Sequence, residues 1–255
     1  MQIYEDVLVP RLFTPWARVL LDRLHLQPGE AVLDVACGPG SVARLAAIAV
    51  GRGGRVTGVD LSPAMLAIAQ AKPVIPDAAP IHYQQASADR LPVADADFDL
   101  VVCQQGLQFF SNRTTALAEM RRALRTGGRV GIAVWATIEQ APPFAALEGA
   151  IREVAGDELA ERYRGGPWGM PDADQLRQLL EKSGFDEVRV TRDALPLSFE
   201  SAAQLCSTLV ASPIAAALDV LPPHRREFSQ ALERRVAVDD ALHAQAVAHL
   251  AFARR

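Results

Sequence analysis

The feature that most constrains the fold is an apolar run that ends in a carboxylate and enters a glycine turn. Residues 32–40 spell Val-Leu-Asp-Val-Ala-Cys-Gly-Pro-Gly. Gly38 and Gly40 have no Cβ, so the backbone there can adopt positive φ and approach a ligand closely. The helix predicted from Ser41 to about Val50 directs its free N–H groups toward that ligand. The run therefore predicts an α/β sheet with a nucleoside site at the end of its first strand.

Asp34 discriminates between two kinds of nucleoside ligand. The turn from Gly38 to Ala43 also fits the G-x-G-x-x-G/A pattern of dinucleotide-binding folds. An aspartate four residues before Gly38 would repel a pyrophosphate, but it would attract the α-ammonium and sulfonium groups of S-adenosylmethionine (SAM). The sequence therefore favours SAM, with Asp34, Ala36, Gly38 and Gly40 as cofactor-binding residues. An aspartate that only caps the following helix or turn is the alternative.

A second acid follows at the end of the next predicted strand, Arg55 to Asp60. Its carboxylate can accept hydrogen bonds from both ribose hydroxyls, which a neutral side chain does less strongly. Leu61 and Met65 begin the next helix, where apolar side chains can enclose an adenine ring. Core packing is the commoner use of Leu and Met at this spacing, and it stays open as the alternative.

Five blocks of the chain together resemble one enzyme family, the class I SAM-dependent methyltransferases. The blocks are Val32–Gly40, Val59–Leu66, Ala88–Pro92, Phe98–Cys103 and Leu124–Val130. They are most similar to the small-molecule branch that includes the ubiquinone/menaquinone-biosynthesis type. The resemblance implies SAM as cofactor, S-adenosylhomocysteine as product, and methyl transfer to a small organic acceptor by in-line displacement. It also implies cofactor contacts from Ser87, Ala88, Asp89, Cys103 and Gln104, with Ser87 where many relatives have an acid or amide.

Strand-like runs alternate with helical patterns along the chain, which predicts an α/β fold. Strands are predicted near 31–36, 54–60, 80–86, 98–103 and 128–135, and helices near 11–26, 41–51, 62–72, 112–125, 143–156 and 172–183. The expected fold is the Rossmann-like class I methyltransferase fold: a mostly parallel seven-stranded sheet with helices on both faces. Two antiparallel strands near 185–199 are expected to complete it.

The predicted domain organisation is a methyltransferase domain over 1–199 and a helical C-terminal extension over 200–255 packed on it. The first domain includes an N-terminal helix and a lid insertion near 137–172. The extension is predicted to be helical because it is rich in alanine, with prolines as breakers.

Four residues are candidates for the acceptor side. Gln108 follows the fourth strand, where its amide can donate and accept hydrogen bonds but cannot act as a strong base. Glu139 follows the fifth strand and is a possible base, with a helix-leading acid as the alternative. Trp168, in a predicted loop, and Tyr4, near the N-terminus, suggest an aromatic lid. Aromatic side chains that only seal the core are the alternative.

Composition excludes several classes of protein. A formal net charge of −4 argues against a dedicated nucleic-acid binder. The three cysteines form no C-x-x-C pair, which suits a reducing compartment, and no apolar run reaches the length of a membrane span. We therefore expect a cytoplasmic protein. We also expect no metal site. The expected partner is a small-molecule substrate, and a homodimer stays open. A SAM-binding protein without methyl transfer and, less favoured, an NAD-type oxidoreductase are the other functions considered.

Overall fold

A computed structural model describes residues 4–210, 221–238 and 243–255. A π-helix at Tyr4–Phe13 leads directly into the first α-helix. The α-helices are α1 Thr14–Leu24, α2 Ser41–Val50, α3 Pro63–Ala71, α4 Arg113–Ala123, α5 Pro142–Ala155, α6 Asp157–Gly165, α7 Ala173–Lys182, α8 Ala202–Val210 and α9 Leu221–Val238. The strands are β1 Ala31–Val35, β2 Arg55–Asp60, β3 Ile81–Gln85, β4 Phe98–Gln104, β5 Leu124–Trp135, β6 Asp186–Ser198 and β7 His243–Arg254. Single turns of 3₁₀-helix lie at Leu107–Phe109 and Ile138–Gln140.

The chain forms two compact units, each assembled from separate stretches of sequence. The larger unit contains Trp16–Val134, Asp172–Arg192 and His249–Arg255. The smaller unit contains Met1–Pro15, Trp135–Pro171 and Asp193–Ala248. These limits differ from the predicted boundary at residue 199, although the predicted lid insertion near 137–172 falls within the smaller unit as far as Pro171.

The seven strands have the order β3-β2-β1-β4-β5-β7-β6. β1 pairs in parallel with β2 and β4, β2 pairs with β3, and β4 pairs with β5. All five residues of β1 are buried, as expected for a central parallel strand whose two faces are both covered. The strand order reverses between β1 and β4, and at such a reversal the carboxyl ends of the strands leave a crevice for a ligand. The sheet confirms the predicted fold class.

The C-terminal part of the sheet differs from the sequence prediction. Residues 185–199 were expected to form two antiparallel strands, but they form one strand, β6. The seventh strand is β7, so the prediction of a wholly helical 200–255 is wrong for His243–Arg254. Reciprocal hydrogen bonds between Gly127–Gly128 and Arg255 join the start of β5 to the end of β7, which makes the two strands antiparallel. Alanines favour a helix locally, but tertiary packing overrides this preference where the small side chains of a central strand are buried.

The end of α4 also differs from the prediction. The helix ends at Ala123 rather than near residue 125, and Leu124 already has extended backbone. The run Thr126-Gly127-Gly128, which the sequence alone suggests as a glycine helix stop, belongs instead to β5. The register of β4 against β5 shifts between Phe98 and Leu100, so the glycines lie at an irregular start of the strand.

Local side-chain caps mark the starts of α3 and α4. Ser62 accepts a hydrogen bond from the Met65 N–H, and Pro63 occupies the first turn of α3, where a missing N–H costs nothing. Asn112 accepts from the Thr115 N–H at the start of α4. Both caps satisfy backbone N–H groups of a first helical turn that have no partner within the helix.

The smaller unit is mainly helical. Helix α5 packs against α6 and α9, and α8 packs against α9 and the π-helix. Pro10 lies inside the π-helix, where its missing N–H removes one backbone donor. None of the helices in the described ranges combines the length and the hydropathy that crossing a bilayer requires.

Candidate active site

The glycine turn after β1 adopts backbone conformations that most residues avoid. Gly38 has φ 53° and Gly40 has φ 83°, and Ala36 between them and β1 has φ 58°. A Cβ on Gly40 would collide with the Tyr83 hydroxyl and would lie 3.2 Å from Tyr83 Cζ, whereas a Cβ on Gly38 would meet nothing within 4 Å. Gly40 is therefore required for its φ and for space, and Gly38 for its φ alone. A left-handed non-glycine residue such as Ala36 stores strain of the kind that is concentrated at ligand sites.

Asp34 has one occupied and one open carboxylate oxygen. Its Oδ2 accepts a hydrogen bond from the Ala43 N–H in α2 at 2.9 Å. Its Oδ1 is buried and has no hydrogen-bond partner among the described residues. Burial raises the pKa of Asp34 to about 8, while the Ala43 N–H lowers it and the Asp60 charge raises it. The capping interpretation is thus true of one oxygen, and the other is a buried acceptor that fits the α-ammonium group of SAM.

Asp60 links the end of β2 to the glycine turn. Its Oδ2 accepts from the Gly38 N–H at 2.7 Å, and its Oδ1 accepts from the Ser62 N–H at 2.8 Å. A carboxylate offers about four acceptor positions, and these two bonds occupy one on each oxygen. The remaining positions are available to the two hydroxyls of a ribose.

Replacing Asp60 by alanine should weaken SAM binding roughly 10- to 100-fold, because a charge-assisted pair of hydrogen bonds is worth about 1.5–3 kcal/mol. The free energy of unfolding should fall by about 1–2 kcal/mol, since the N–H groups of Gly38 and Ser62 lose their acceptor. Calorimetric titration and urea unfolding measure the two effects. Asp60→Asn keeps one acceptor oxygen and should be intermediate. An Asp60→Ala protein that binds SAM with wild-type affinity would contradict the assignment.

The other residues predicted to contact the cofactor after β2 and β3 lie in loops, except Met65, which lies in α3. Leu61, directly after β2, is 68% exposed although it is apolar, and Met65 is half-buried. The Ser87 hydroxyl accepts from the Asp89 N–H at 3.3 Å and thereby shapes the turn after β3, which also contains Ala88. An exposed leucine at a strand end suits an adenine contact. The adenine roles of these residues remain predictions.

The end of β4 contains a buried cysteine followed by glutamines. Burial raises the pKa of Cys103 to about 12, which keeps its thiol protonated and unreactive. Gln104 ends the strand and Gln105 follows it with φ 55°. The Gln108 Nε2 donates to Gln105 Oε1 at 3.1 Å, and both side chains are buried. Gln108 was predicted from its position after the fourth strand, whereas Gln105 was not, although a second glutamine three residues earlier was the available signal.

This amide pair leaves two polar atoms unsatisfied. Gln105 Nε2 and Gln108 Oε1 are buried and have no partner among the described residues. A buried donor or acceptor without a partner costs about 1–3 kcal/mol. Such a cost is expected where a ligand supplies the missing partners.

In the smaller unit, Glu139 belongs to an ionic network. Its Oε1 accepts from Arg164 Nη1 at 2.5 Å, and Arg164 also contacts both carboxylate oxygens of the buried Glu148, at 3.0 and 2.7 Å. The hydrogen bond from Arg164 is the main reason that the pKa of Glu139 lies below its usual range. A carboxylate with a lowered pKa is a weaker base than a free glutamate. The geometry thus favours a structural role for Glu139.

Trp168 packs in an aromatic cluster of the smaller unit. Its ring centroid lies 5.9 Å from that of Trp135 and 5.5 Å from that of Phe144, and Phe13 lies 6.3 Å from Trp135. Trp168 follows α6 in a turn, as predicted, but only 4% of it is exposed. Burial supports the core-packing alternative, and an acceptor role for Trp168 remains a prediction. The side chain of Tyr4, at the start of the π-helix, lies outside the described residues.

The three cysteines Cys37, Cys103 and Cys206 are free and buried. Burial is the main cause that raises the pKa of each thiol, to about 11 for Cys206. Within the described ranges, no group of three or more His, Cys, Asp or Glu side chains is arranged to hold a metal ion.

Comparisons with known proteins place the chain in an enzyme family. Residues 33–132 match the family described as Methyltransferase domain. The chain is 31% identical over 195 residues to the ubiquinone/menaquinone biosynthesis C-methyltransferase UbiE of Ralstonia pickettii, a match that spans 73% of this chain and 79% of that protein.

Two solved structures share the fold. The phosphoethanolamine N-methyltransferase 2 of Haemonchus contortus, in complex with phosphomonomethylethanolamine and S-adenosylhomocysteine, has a TM-score of 0.59 and 19% identity, covering 94% of this chain and 52% of that one. The YcgJ protein of Bacillus subtilis has a TM-score of 0.59 and 15% identity, covering 94% and 98% of the two chains. At these identities the likeness establishes the fold alone.

The strand order, the glycine turn with its two acids, and the UbiE relatives together define a SAM-dependent methyltransferase of class I. The chain belongs to this family, on its small-molecule branch. It transfers a methyl group from SAM to a small organic acceptor and releases S-adenosylhomocysteine.

Proposed function

We propose that the acceptor is a small hydroxylated ring or enol, methylated at carbon, and that it binds at the carboxyl end of β4. The observation that supports this most directly is the composition of that strand end. Cys103 has a raised pKa, and Gln105 and Gln108 are neutral amides. None of these groups is a strong base at neutral pH. The acceptor therefore has to supply its own nucleophilic atom, which the electron-rich carbon of a hydroxylated ring or an enol does.

The names of the curated relatives support a carbon acceptor. The relatives that match this chain at 29–31% identity over nearly three quarters of its length are C-methyltransferases of ubiquinone and menaquinone biosynthesis. Quinone precursors are hydroxylated aromatic rings, so the two lines of support agree.

In the proposed mechanism, the chain acts mainly by positioning. SAM supplies a methyl group that its sulfonium already activates, so no further activation of the leaving group is needed. The open Oδ1 of Asp34 binds the α-ammonium group, and the Asp60 carboxylate binds the ribose hydroxyls. Both acids lie on rigid strand ends, which aligns the methyl group for in-line transfer. The acceptor gains the methyl group and loses one proton, which passes to solvent.

We also propose that the protein works in the cytoplasm. Its three free, buried cysteines are compatible with a reducing compartment. The predicted domain limits, 1–199 and 200–255, stay a proposal, as do the lid roles of Tyr4 and Trp168.

The proposed function is tested by incubating the protein with SAM and a panel of hydroxylated naphthalenes and monocyclic phenols. We expect S-adenosylhomocysteine, detected by mass spectrometry, and a new carbon-bound methyl group, located by NMR. Turnover should be unchanged by EDTA, because the sulfonium provides the activation.

Three outcomes would contradict parts of this scheme. A methyl group on oxygen would exclude carbon as the acceptor atom. Loss of turnover in EDTA, restored by Mg²⁺, would exclude the metal-free mechanism. Tight SAM binding without any S-adenosylhomocysteine formation across the panel would favour a repurposed SAM-binding protein.

A further inference from the structure

The buried glutamine pair after β4 has a defined hydrogen-bonding capacity that the fold does not use. Gln105 and Gln108 are 7% and 2% exposed and share a single hydrogen bond, from Gln108 Nε2 to Gln105 Oε1. The atoms left without partners among the described residues are Gln105 Nε2 and Gln108 Oε1. In each side chain, the atom without a partner belongs to the same amide group as the atom that makes the shared hydrogen bond. The two hydrogen-bonded amides therefore offer one open donor and one open acceptor.

The backbone holds this pair in place. The Gln105 N–H donates to Ala133 O in β5 at 2.8 Å, and Gln108 O accepts from Arg113 Nη2 at 2.9 Å. Gln105 is held at φ 55°, a strained conformation for a residue other than glycine. Strain that persists between two fixed ends indicates that the surrounding structure imposes the position of the amides.

The pair also lies next to the cofactor turn. A Cβ on Gly106 would lie 2.6 Å from Ala36 Cβ and 2.9 Å from Cys103 Sγ, so the two strand ends are in close contact at this point. Ala36 and Gln105 are the residues that follow β1 and β4, and both have positive φ. These are the strands between which the sheet order reverses, where ligands of such sheets bind.

We propose that Gln105 and Gln108 form an acceptor subsite that binds a neutral group with a hydrogen-bond acceptor adjacent to a donor, such as an amide or a hydroxyl beside a carbonyl. Gln105 Nε2 donates to the acceptor atom of the ligand, and Gln108 Oε1 accepts from its donor. This inference rests on the proposed function and specifies the chemical class of the methyl acceptor.

The same arrangement disfavours charged groups. A carboxylate would place an anionic oxygen against Gln108 Oε1, and an ammonium group would place its N–H against Gln105 Nε2, which only donates. Exchanging oxygen and nitrogen in both amides leaves one donor and one acceptor open, so the conclusion does not depend on the assigned orientation.

The test uses three probes that share a naphthalene ring and differ in one substituent. 2-Naphthamide has an acceptor beside a donor, 2-acetylnaphthalene has an acceptor only, and 2-naphthoate is an anion. Binding is measured by calorimetry on the full chain saturated with S-adenosylhomocysteine. We expect 2-naphthamide to bind about tenfold more tightly than either other probe. Gln105→Met and Gln108→Met should each remove this preference, and S-adenosylhomocysteine affinity should stay within twofold of wild type.

A matched control and two outcomes decide the result. Gln175→Met alters an exposed glutamine in α7 and should keep the preference for the amide. Equal binding of the three probes to the wild-type complex would overturn the inference. Loss of S-adenosylhomocysteine affinity in the folded Gln105→Met or Gln108→Met variants would also overturn it, because the pair would then serve the cofactor. Failure of the wild-type chain to bind S-adenosylhomocysteine would instead contradict the proposed function.

Discussion

Gly40→Val is expected to abolish SAM binding, with a loss of affinity of about a hundredfold or more. Two effects add at this position. Gly40 has φ 83°, which costs a β-branched residue about 1–3 kcal/mol, and its Cβ would overlap the Tyr83 hydroxyl. Relief of that overlap has to move either the glycine turn or Tyr83, and forced repacking of this kind costs about 1–3 kcal/mol. The turn then no longer presents its backbone to the cofactor.

The comparison of two alanine variants separates these effects. Gly38→Ala introduces the same strain at φ 53°, but its Cβ meets nothing within 4 Å. Gly40→Ala adds the overlap with Tyr83, so it should weaken SAM binding and lower the unfolding free energy more than Gly38→Ala does. Calorimetric titration and urea unfolding measure both quantities. Equal effects of the two variants would show that Tyr83 does not constrain the turn.

Asp34→Asn is expected to weaken SAM binding by roughly 10- to 100-fold at pH 7, because the charge that faces the α-ammonium group is lost. The shape of the side chain is retained, and an amide oxygen can still accept from the Ala43 N–H. The loss should therefore appear mainly in affinity. Circular dichroism spectra of the two apo proteins are the control for the fold.

The raised pKa of Asp34 also predicts that SAM binding releases a proton. With a pKa of about 8, Asp34 is mostly protonated in the apo protein at pH 7, and the cation favours its ionised form. Titrations in buffers of different ionisation enthalpy should show the release of nearly one proton by the wild-type chain and none by Asp34→Asn. SAM affinity of the wild type should rise about tenfold between pH 6 and pH 7. Wild-type binding without proton release would contradict the role of Asp34.

The raised pKa of Asp34 also determines how the stability of the apo fold depends on pH. Because the folded-state pKa lies above that of an unfolded aspartate, Asp34 stabilises the apo fold fully only below the unfolded pKa of about 4. This contribution is lost as the pH rises toward 8. The melting temperature of the apo wild type should therefore fall relative to Asp34→Asn between pH 5 and pH 8, and saturating SAM should reverse the difference.

Local sequence chemistry was sufficient to predict the glycine turn and the two acids at the strand ends. The glycine turn, Asp34 and Asp60 each depend on residues within a few positions of a strand end, so their spacing alone indicates where they lie. The different surroundings of the two Asp34 oxygens were not predictable. Its two oxygens differ only because α2 folds back onto one of them while burial isolates the other.

The C-terminal strand illustrates the limit of local prediction. Residues 243–254 are rich in alanine, which favours a helix when the segment is considered alone. They form β7 because they pair with β5 and β6, two strands that lie far from them in the sequence. Long-range pairing of this kind leaves no periodic signal in the segment itself.

The sequence by itself determined the α/β alternation, the glycine turn after the first strand and the class of enzyme, because each of these depends on contiguous residues with distinct chemistry. Only the tertiary structure decided three other features: the contact of Tyr83 with Gly40, the insertion of β7, and the open hydrogen bonds of the Gln105–Gln108 pair. These depend on which side chains meet and which polar atoms burial leaves without a partner. Such contacts join residues distant in the chain, or depend on the path of a turn, so no sequence spacing specifies them.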